Sequence, residues 1–511
     1  MTRLPQHLRR FTVVQDYGAY SPRDQAVWRH VLGRLVPHLT ARAHESYLRG
    51  LAATGIGTEA IPRMDEMNEK LSRMGWSAVG VRGFVPPAVF TELQARRVLA
   101  IACDIRTHEH IAYTPAPDII HESAGHAPIL ADPAYSRFLE RAGEIGFRAI
   151  ASREDAEVYE SIRALSIVKE DPAATPGEAA LAEERLRAAR SARHSVSEAT
   201  RASRLYWWTA EYGLVGSLAA PRIYGAGLLS SIDESTRCLS AEVERLPLDV
   251  RAAEVDFDIT RMQPQLFVAR ELSELEEVVE ALSGTLAFRR GGDYGLRVAQ
   301  EARTVNHLVL DEGEEVSGTV LTSFPAPRGG GELATALALL GPPVLLSRSG
   351  HAAGPPREVP CLLAFGHARP PAEGGFRLVF ESGLALEGRM RNGLANELRA
   401  SLGSRELAVP STALLLASSS LPSVGGGPAD PEAWDERYGV SPQAHEDEAR
   451  ARAHRRVALA PELASLYLEV RGLREASTRD PARLRALEEL ARCFDGEWLL
   501  RSELEELEGA L

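Results

Sequence analysis

Cysteine is scarce in this chain: four occur in 511 residues, Cys103, Cys238, Cys361 and Cys493, with no CxxC pair among them. That spacing excludes a disulfide framework and a cysteine-built zinc site, and it makes a reducing cytoplasm the expected setting. Basic charge is in deficit as well. Lys and Arg number 58 against 71 Asp and Glu, a formal net charge of -13, so the clustered cations that phosphate contacts require are missing and no nucleic-acid partner is expected. Arg is interleaved with Asp and Glu in helical stretches, the pattern of solvated faces. No run approaches the roughly 20 apolar residues of a membrane span. The first ten residues also lack the apolar core of a secretory leader. What is present, 44% hydrophobic and 25% charged residues, is a globular composition in a chain long enough for two or three domains.

Up to about residue 285 the pattern is mainly helical. Val27, Val31, Leu32, Leu35, Val36 and Leu39 recur at helical spacing. Pro62 suits the first turn of a helix over 61–73, and Pro86 and Pro87 open another. Val98 to Ile105 is brief and apolar, as a strand would be. Residues 147–210 read as helices broken at Asp171 to Gly177. A helix is expected from Ser231 to about Arg245, a strand over Ala253 to Ile259, and a last helix over Leu272 to Leu282. Beyond Arg289, short apolar runs alternate with Gly, Pro and Ser, which predicts a small β-rich domain. The organisation expected is therefore a mainly α domain over 1–288 with a helical insertion at about 150–200, a β-rich domain over 289–427, and a linker with a helical region over 428–511. The helical tail, with its apolar stripes and mixed charge, is the candidate for homo-oligomerisation.

One stretch carries candidate chemistry. Residues 115–126, Pro-Ala-Pro-Asp-Ile-Ile-His-Glu-Ser-Ala-Gly-His, place His121 and His126 five apart, with Glu122 between them and Asp118 just upstream. Neutral imidazole suits iron, zinc and copper alike, and the step differs from the four-residue HExxH of zinc proteases. Asp118 reads as a helix cap or a residue behind the ligands. A third ligand is offered by Glu211 within Tyr206-Trp-Trp-Thr-Ala-Glu-Tyr-Gly-Leu214, where an unpaired carboxylate in apolar surroundings would cost several kcal/mol. Two imidazoles and a carboxylate form the facial triad of non-haem iron oxygenases. Zinc with Glu122 as a hydrolytic base is the competing use of the same ligands.

Arg106, residues 113–128 and Ala131-Asp-Pro133 together resemble the iron-binding segment of the aromatic amino acid hydroxylases. Residues 206–214 resemble that family's third-ligand segment, and Tyr224-Gly-Ala-Gly-Leu-Leu-Ser-Ser231 and Gln263-Pro-Gln265 resemble two more of its motifs, in the same order. The resemblance spans roughly residues 10–285 and implies the mainly α catalytic fold of that family. It implies that His121, His126 and Glu211 bind iron(II), that a tetrahydropterin such as tetrahydrobiopterin is the reductant, and that dioxygen is the co-substrate. It further implies that Arg106 holds the substrate carboxylate, that Thr114, Gly227 and Ser230 serve the same end of the amino acid, and that Pro117, Trp207 and Tyr212 wall its ring. Gly83, Val85, Phe90, Glu122 and Tyr206 fall where the family binds its pterin. The implied activity is ring hydroxylation of an aromatic amino acid, phenylalanine to tyrosine, with tryptophan as the alternative. Two departures stand out: the longer spacing between His126 and Glu211, and Ser123-Ala124 in place of a bulkier apolar pair.

Overall fold

Ser21 starts the first long helix, Pro22–Leu39, through a reciprocal cap. Its hydroxyl accepts from the Asp24 N–H at 3.1 Å and its own N–H donates to the Asp24 carboxylate at 2.8 Å. The apolar stripe Val27, Val31, Leu32, Leu35 and Leu39 is buried in the largest core of the molecule, each such side chain contributing about 1.5–3 kcal/mol over its exposed state. The structure, a computed structural model, describes residues 4–83, 85–108, 111, 118–170, 174–259, 262–324, 334–346, 359–427, 459–476 and 480–509.

The three C-terminal helices, Pro461–Glu475, Pro481–Ala491 and Trp498–Glu508, join that same core through Leu466, Tyr467, Val470, Leu487, Leu500 and Leu504. Their docking includes an ion pair. Arg29 on the first helix donates to Glu503 on the last through Nε at 2.5 Å and Nη2 at 2.9 Å, with both side chains almost fully enclosed. The tail is thus helical and packed on the catalytic part. The helical expectation over 441–458 falls outside the described residues.

Two small sheets frame the site. Strands β1 (Ser77–Val81) and β2 (Val98–Ala102) pair in parallel. A four-stranded sheet has the order β4-β3-β6-β5, from β3 (Leu214–Gly216), β4 (Pro221–Ile223), β5 (Glu244–Pro247) and β6 (Gln265–Ala269). Two expectations fail here. The helix after Ser231 ends at Arg237, and the next residues turn so that the Arg245 guanidinium bonds the Ser240 carbonyl at 3.0 Å, which releases β5 to pair with β6. Ala253 to Ile259 contains no strand, because Asp249 accepts from the Arg251 N–H at 2.8 Å and winds Val250–Glu254 into a 3-10 turn.

Beyond residue 304 the chain is β-rich. Its ten-stranded sheet comprises β7 (Val305–Val309), β8 (Glu315–Phe324), β9 (Ala336–Leu346), β10 (Cys361–Phe365), β11 (Gly374–Val379), β12 (Leu384–Arg391), β13 (Leu394–Leu402), β14 (Arg405–Leu407), β15 (Thr412–Ser418) and β16 (Ser423–Gly426). The path runs β11-β12-β13-β15-β10-β9-β8-β7-β16, with β14 beside β13, and among the described residues of this sheet only β10 and β15 pair in parallel. In β10, Cys361, Leu363 and Phe365 enter one core while Leu362 and Ala364 enter another. Burial on both faces explains an uninterrupted apolar run. Gly292–Ala302 is a helix that the glycine-rich sequence conceals. Gly295 is required there because a Cβ would lie 2.7 Å from Cβ of Val424 on β16. Ile150 and Ala287 from the helical part lie in the first of these cores, so the two parts share an interface. The helices Arg153–Glu170 and Pro176–Ser191 form a hairpin around Val158, Leu165 and Leu186 within the range expected for an insertion.

Candidate metal centre

In an α-helix, 3.6 residues per turn would place side chains five apart on different faces. The segment Ile120–His126 is instead a π-helical turn, whose i to i+5 bonding sets residues five apart one above the other. That widening turns His121 and His126 to one side, with ring centroids 5.0 Å apart. Asp118 fixes the start of the turn by accepting the His121 N–H at 3.0 Å. Ser123 turns its hydroxyl back to the Ile119 carbonyl and Ala124 is fully buried, so both small residues are spent inside the fold. Gly125 is required where the turn crosses Ala226–Leu229, since a Cβ would sit 2.8 Å from the Ala226 carbonyl oxygen.

Glu211 ends a second π-helical turn, Trp207–Glu211, closed by the Tyr212 N–H on the Trp207 carbonyl at 2.9 Å. Its carboxylate oxygens lie 3.3 Å from His121 Nε2 and 3.1 Å from His126 Nε2. The three ligand atoms all fall within 4.8 Å of one another, which makes these residues a group able to hold one ion. The His121 tautomer follows from its neighbour. The Ser230 hydroxyl donates to the Ala226 carbonyl at 2.8 Å, so at 3.0 Å from His121 Nδ1 it accepts, leaving the Nε2 lone pair for the ion. His126 Nδ1 has no hydrogen-bond partner among the described residues, and Nε2 faces the Glu211 carboxylate at 3.1 Å. Such an imidazole fits a metal ligand, as does the neutral nitrogen and oxygen donor set.

The charges are strongly coupled. Burial would lower His121, but the carboxylates of Glu211, Glu122 and Asp118 override it and push it up to about 9. Burial would raise Glu211, and the two histidines instead hold it well below the carboxylate range. Glu122 is shifted up by burial, against the pull of both histidines.

Arg106 is enclosed and doubly paired to Asp118, with Nε to Oδ2 at 2.8 Å and Nη2 to Oδ1 at 2.9 Å. Burial would raise the Asp118 carboxyl, but Arg106 overrides this and holds it low. Among the described residues the Arg106 Nη1 has only long contacts, to the carbonyls of Ile111 at 3.4 Å and Ser230 at 3.5 Å. One edge of the fork is therefore used inside the protein. Ser230 lies between Arg106 and His121, and Gly227 lies against Tyr212, where a Cβ would be 2.9 Å from the ring. Trp207 stacks on Tyr212 at 4.5 Å and on Phe257 at 4.3 Å. Phe90 meets Tyr206 edge-on at 5.8 Å, and the Gln94 amide donates to the Tyr206 hydroxyl at 2.6 Å. Val85 and Phe90 border one small core, and Gly83 takes a left-handed φ of 67° in the loop before them. Thr114 and Pro117 lie outside the described residues.

Three neighbours of this site were not legible as such. Phe257 stands alone between Asp256 and Asp258, Gln94 looks like a helix-surface residue, and Glu234 sits in an ordinary polar helix.

A buried and a half-buried imidazole and the Glu211 carboxylate form a group able to hold one metal ion, with a paired arginine and an aromatic stack on neighbouring residues. Residues 13–165 and 188–318 match the family described as biopterin-dependent aromatic amino acid hydroxylase. The chain belongs to that family and is an enzyme. The matched blocks are interrupted at residues 166–187, within the helical hairpin. Phenylalanine-4-hydroxylase of Ralstonia nicotianae is 31% identical over 268 residues, 52% of this chain and 72% of that protein. The Chromobacterium violaceum enzyme of the same name is 30% identical, over 52% and 75%. A crystal structure of the latter with iron(III) and 7,8-dihydrobiopterin aligns with 28% identity and a TM-score of 0.42, over 56% of this chain and 92% of that one. No helix among the described residues is long and apolar enough to cross a membrane.

Proposed function

We propose that this enzyme hydroxylates the ring of phenylalanine to give tyrosine, with iron(II), a tetrahydropterin and dioxygen. The observation that carries the reading is the convergence of His121, His126 and Glu211 on one point, in a chain whose relatives are phenylalanine-4-hydroxylases. His121, His126 and Glu211 would hold the iron and leave coordination positions open. Bound iron and a reduced pterin supply the electrons that activate dioxygen.

The chain's own residues do the positioning. Arg106 takes the amino acid carboxylate on its Nη1 side, while Asp118 keeps the guanidinium from swinging. Gly227 and Ser230 complete that end, and Ser230 also holds the His121 ring. Trp207 and Tyr212 wall the ring, and the stacked arrangement favours a flat aromatic side chain. Gly83, Val85, Phe90, Glu122 and Tyr206 receive the pterin, with Gln94 fixing the Tyr206 hydroxyl. A zinc hydrolase has no support in the family match. Tryptophan remains the second substrate to assay, because the same aromatic stack would face an indole. Purified protein supplied with iron(II) and tetrahydrobiopterin should convert phenylalanine to tyrosine; failure to hydroxylate phenylalanine, tyrosine or tryptophan would overturn the reading.

A cytoplasmic setting is supported by four free cysteines, three of them buried. Self-association through the C-terminal helices would use outward residues such as Leu468 and Leu490, 54% and 51% exposed. Sizing the full chain over a range of concentrations tests it.

A further inference from the structure

A glutamine that is 1% exposed needs partners for both ends of its amide, because a buried polar group without one is costly. Gln94 is paired at one end. Its Nε2 donates to the Tyr206 hydroxyl at 2.6 Å, and its Oε1 has no hydrogen-bond partner among the described residues. A leucine would fill the same place without an unpaired oxygen, so the glutamine gains nothing as packing. Its use lies in the bond to Tyr206.

That bond joins two parts of the fold. Gln94 lies on helix Pro87–Ala95, one turn after Phe90, so the two residues share a face of it. This helix is seated closely on helix Pro133–Arg148. A Cβ at Gly143 would lie 2.8 Å from Cβ of Gln94, and one at Gly146 would lie 2.7 Å from Cγ2 of Thr91. Tyr206 is the last residue of helix Glu198–Tyr206, directly before the turn Trp207–Glu211 that ends on the third metal ligand. Its ring meets Phe90 at 5.8 Å with 82° between the planes. One helix therefore holds Tyr206 at two points, the hydroxyl by Gln94 and the ring by Phe90. With the hydroxyl tied, the ring keeps one tilt; with it loose, only an edge contact between rings is left, which tolerates a range of tilts.

We propose that Gln94 is a positioning residue for the reduced pterin: by tying the Tyr206 hydroxyl it fixes the Phe90–Tyr206 corner and holds it against the turn that carries Glu211. The inference rests on the reading that Phe90 and Tyr206 receive the pterin. Among the described residues Gln94 makes no bond to Arg106 or Ser230, at the amino acid's end of the site, so the two ligands should respond differently to its loss.

The test is pterin affinity, read by calorimetry with the oxidised pterin 7,8-dihydrobiopterin on the iron-loaded full chain, beside the KM for tetrahydrobiopterin and for phenylalanine. Gln94→Leu should weaken pterin binding about fivefold, the scale of one neutral hydrogen bond, and raise the KM for tetrahydrobiopterin alike. The KM for phenylalanine should move less than about twofold. Tyr206→Phe removes one oxygen and leaves helix Pro87–Ala95 intact; it should weaken pterin binding to the same extent. Combining the two should add nothing, because both remove one bond. Pterin affinity within about twofold of wild type in both single variants, additive effects, or an equal rise in the KM for phenylalanine would overturn the inference alone. A Phe90→Ala enzyme that binds the pterin as wild type does would overturn the reading beneath it.

Discussion

Glu503→Gln is a nearly isosteric change that should free the C-terminal helices from the catalytic core. The Glu503 carboxylate receives two bonds from Arg29, at 2.5 and 2.9 Å, in a place where the two side chains are 2% and 4% exposed. Removing one charge from such a pair leaves the other buried and uncompensated, a cost of about 3–5 kcal/mol. The help on hand is weak: the Arg29 Nη1 reaches the Glu59 carbonyl only at 3.4 Å, and Arg474, 3.9 Å from Glu503, is a second cation that would lose a partner as well. Hydrogen exchange resolves this locally, where a single unfolding free energy is ill-defined for so large a chain. Amides of residues 461–509 that open locally should exchange roughly a hundredfold to a thousandfold faster in Glu503→Gln. The double variant Arg29→Met/Glu503→Leu should recover most of the loss, since a packed apolar pair replaces a buried ion pair at little cost. Exchange within about threefold of wild type in the single variant would refute the reasoning, as the pair would then contribute no more than an exposed one.

Other consequences can be measured separately. In the metal-free protein the proton on His121 is held up to about 9 by the surrounding carboxylates, so an incoming divalent ion must displace it. Affinity should rise about tenfold per pH unit up to that value and flatten above it; the stabilisation of the metal-free fold by this proton is full below the unfolded value near 6.5 and is lost as pH rises through about 9. A pH-independent affinity would contradict this. Asp118→Asn strips the partner of enclosed Arg106; stability should fall by about 3 kcal/mol and the KM for the amino acid should rise more than kcat falls. Glu198 accepts from the Ala287 N–H at 2.7 Å and the Ile150 N–H at 3.3 Å, and burial raises its carboxyl to about 7. Its contribution is full below the unfolded value near 4.5 and is lost as pH rises through about 7, on the order of 3 kcal/mol in all. Glu198→Gln should flatten that part of the pH-stability curve; an unchanged curve would rule the carboxyl out as its source.

The ligand residues are readable from the chain because their chemistry is local: a paired imidazole motif and a carboxylate among aromatics are unusual in any fold. The five-residue step was legible as a departure from HExxH, but the π-helical turn that makes it work is a backbone choice that residue types do not encode. Stripes such as Leu466 and Val470 show that a helix has a buried face, not that the face meets the first helix, because amphipathicity carries no address. The helix Gly292–Ala302 is hidden for a different reason: Gly295 lowers helix propensity, yet it is there to admit Val424 from a strand distant in sequence. Phe257 escapes for the same cause, since its place shows only through its contact with Trp207.

Incorporation of labelled dioxygen tests the central claim most directly. Protein loaded with iron(II) and given tetrahydrobiopterin and phenylalanine under isotope-labelled dioxygen should yield tyrosine whose new hydroxyl carries the label, and Glu211→Ala should yield none. Unlabelled product, or no ring hydroxylation of any aromatic amino acid by the iron-loaded wild type, would contradict the account.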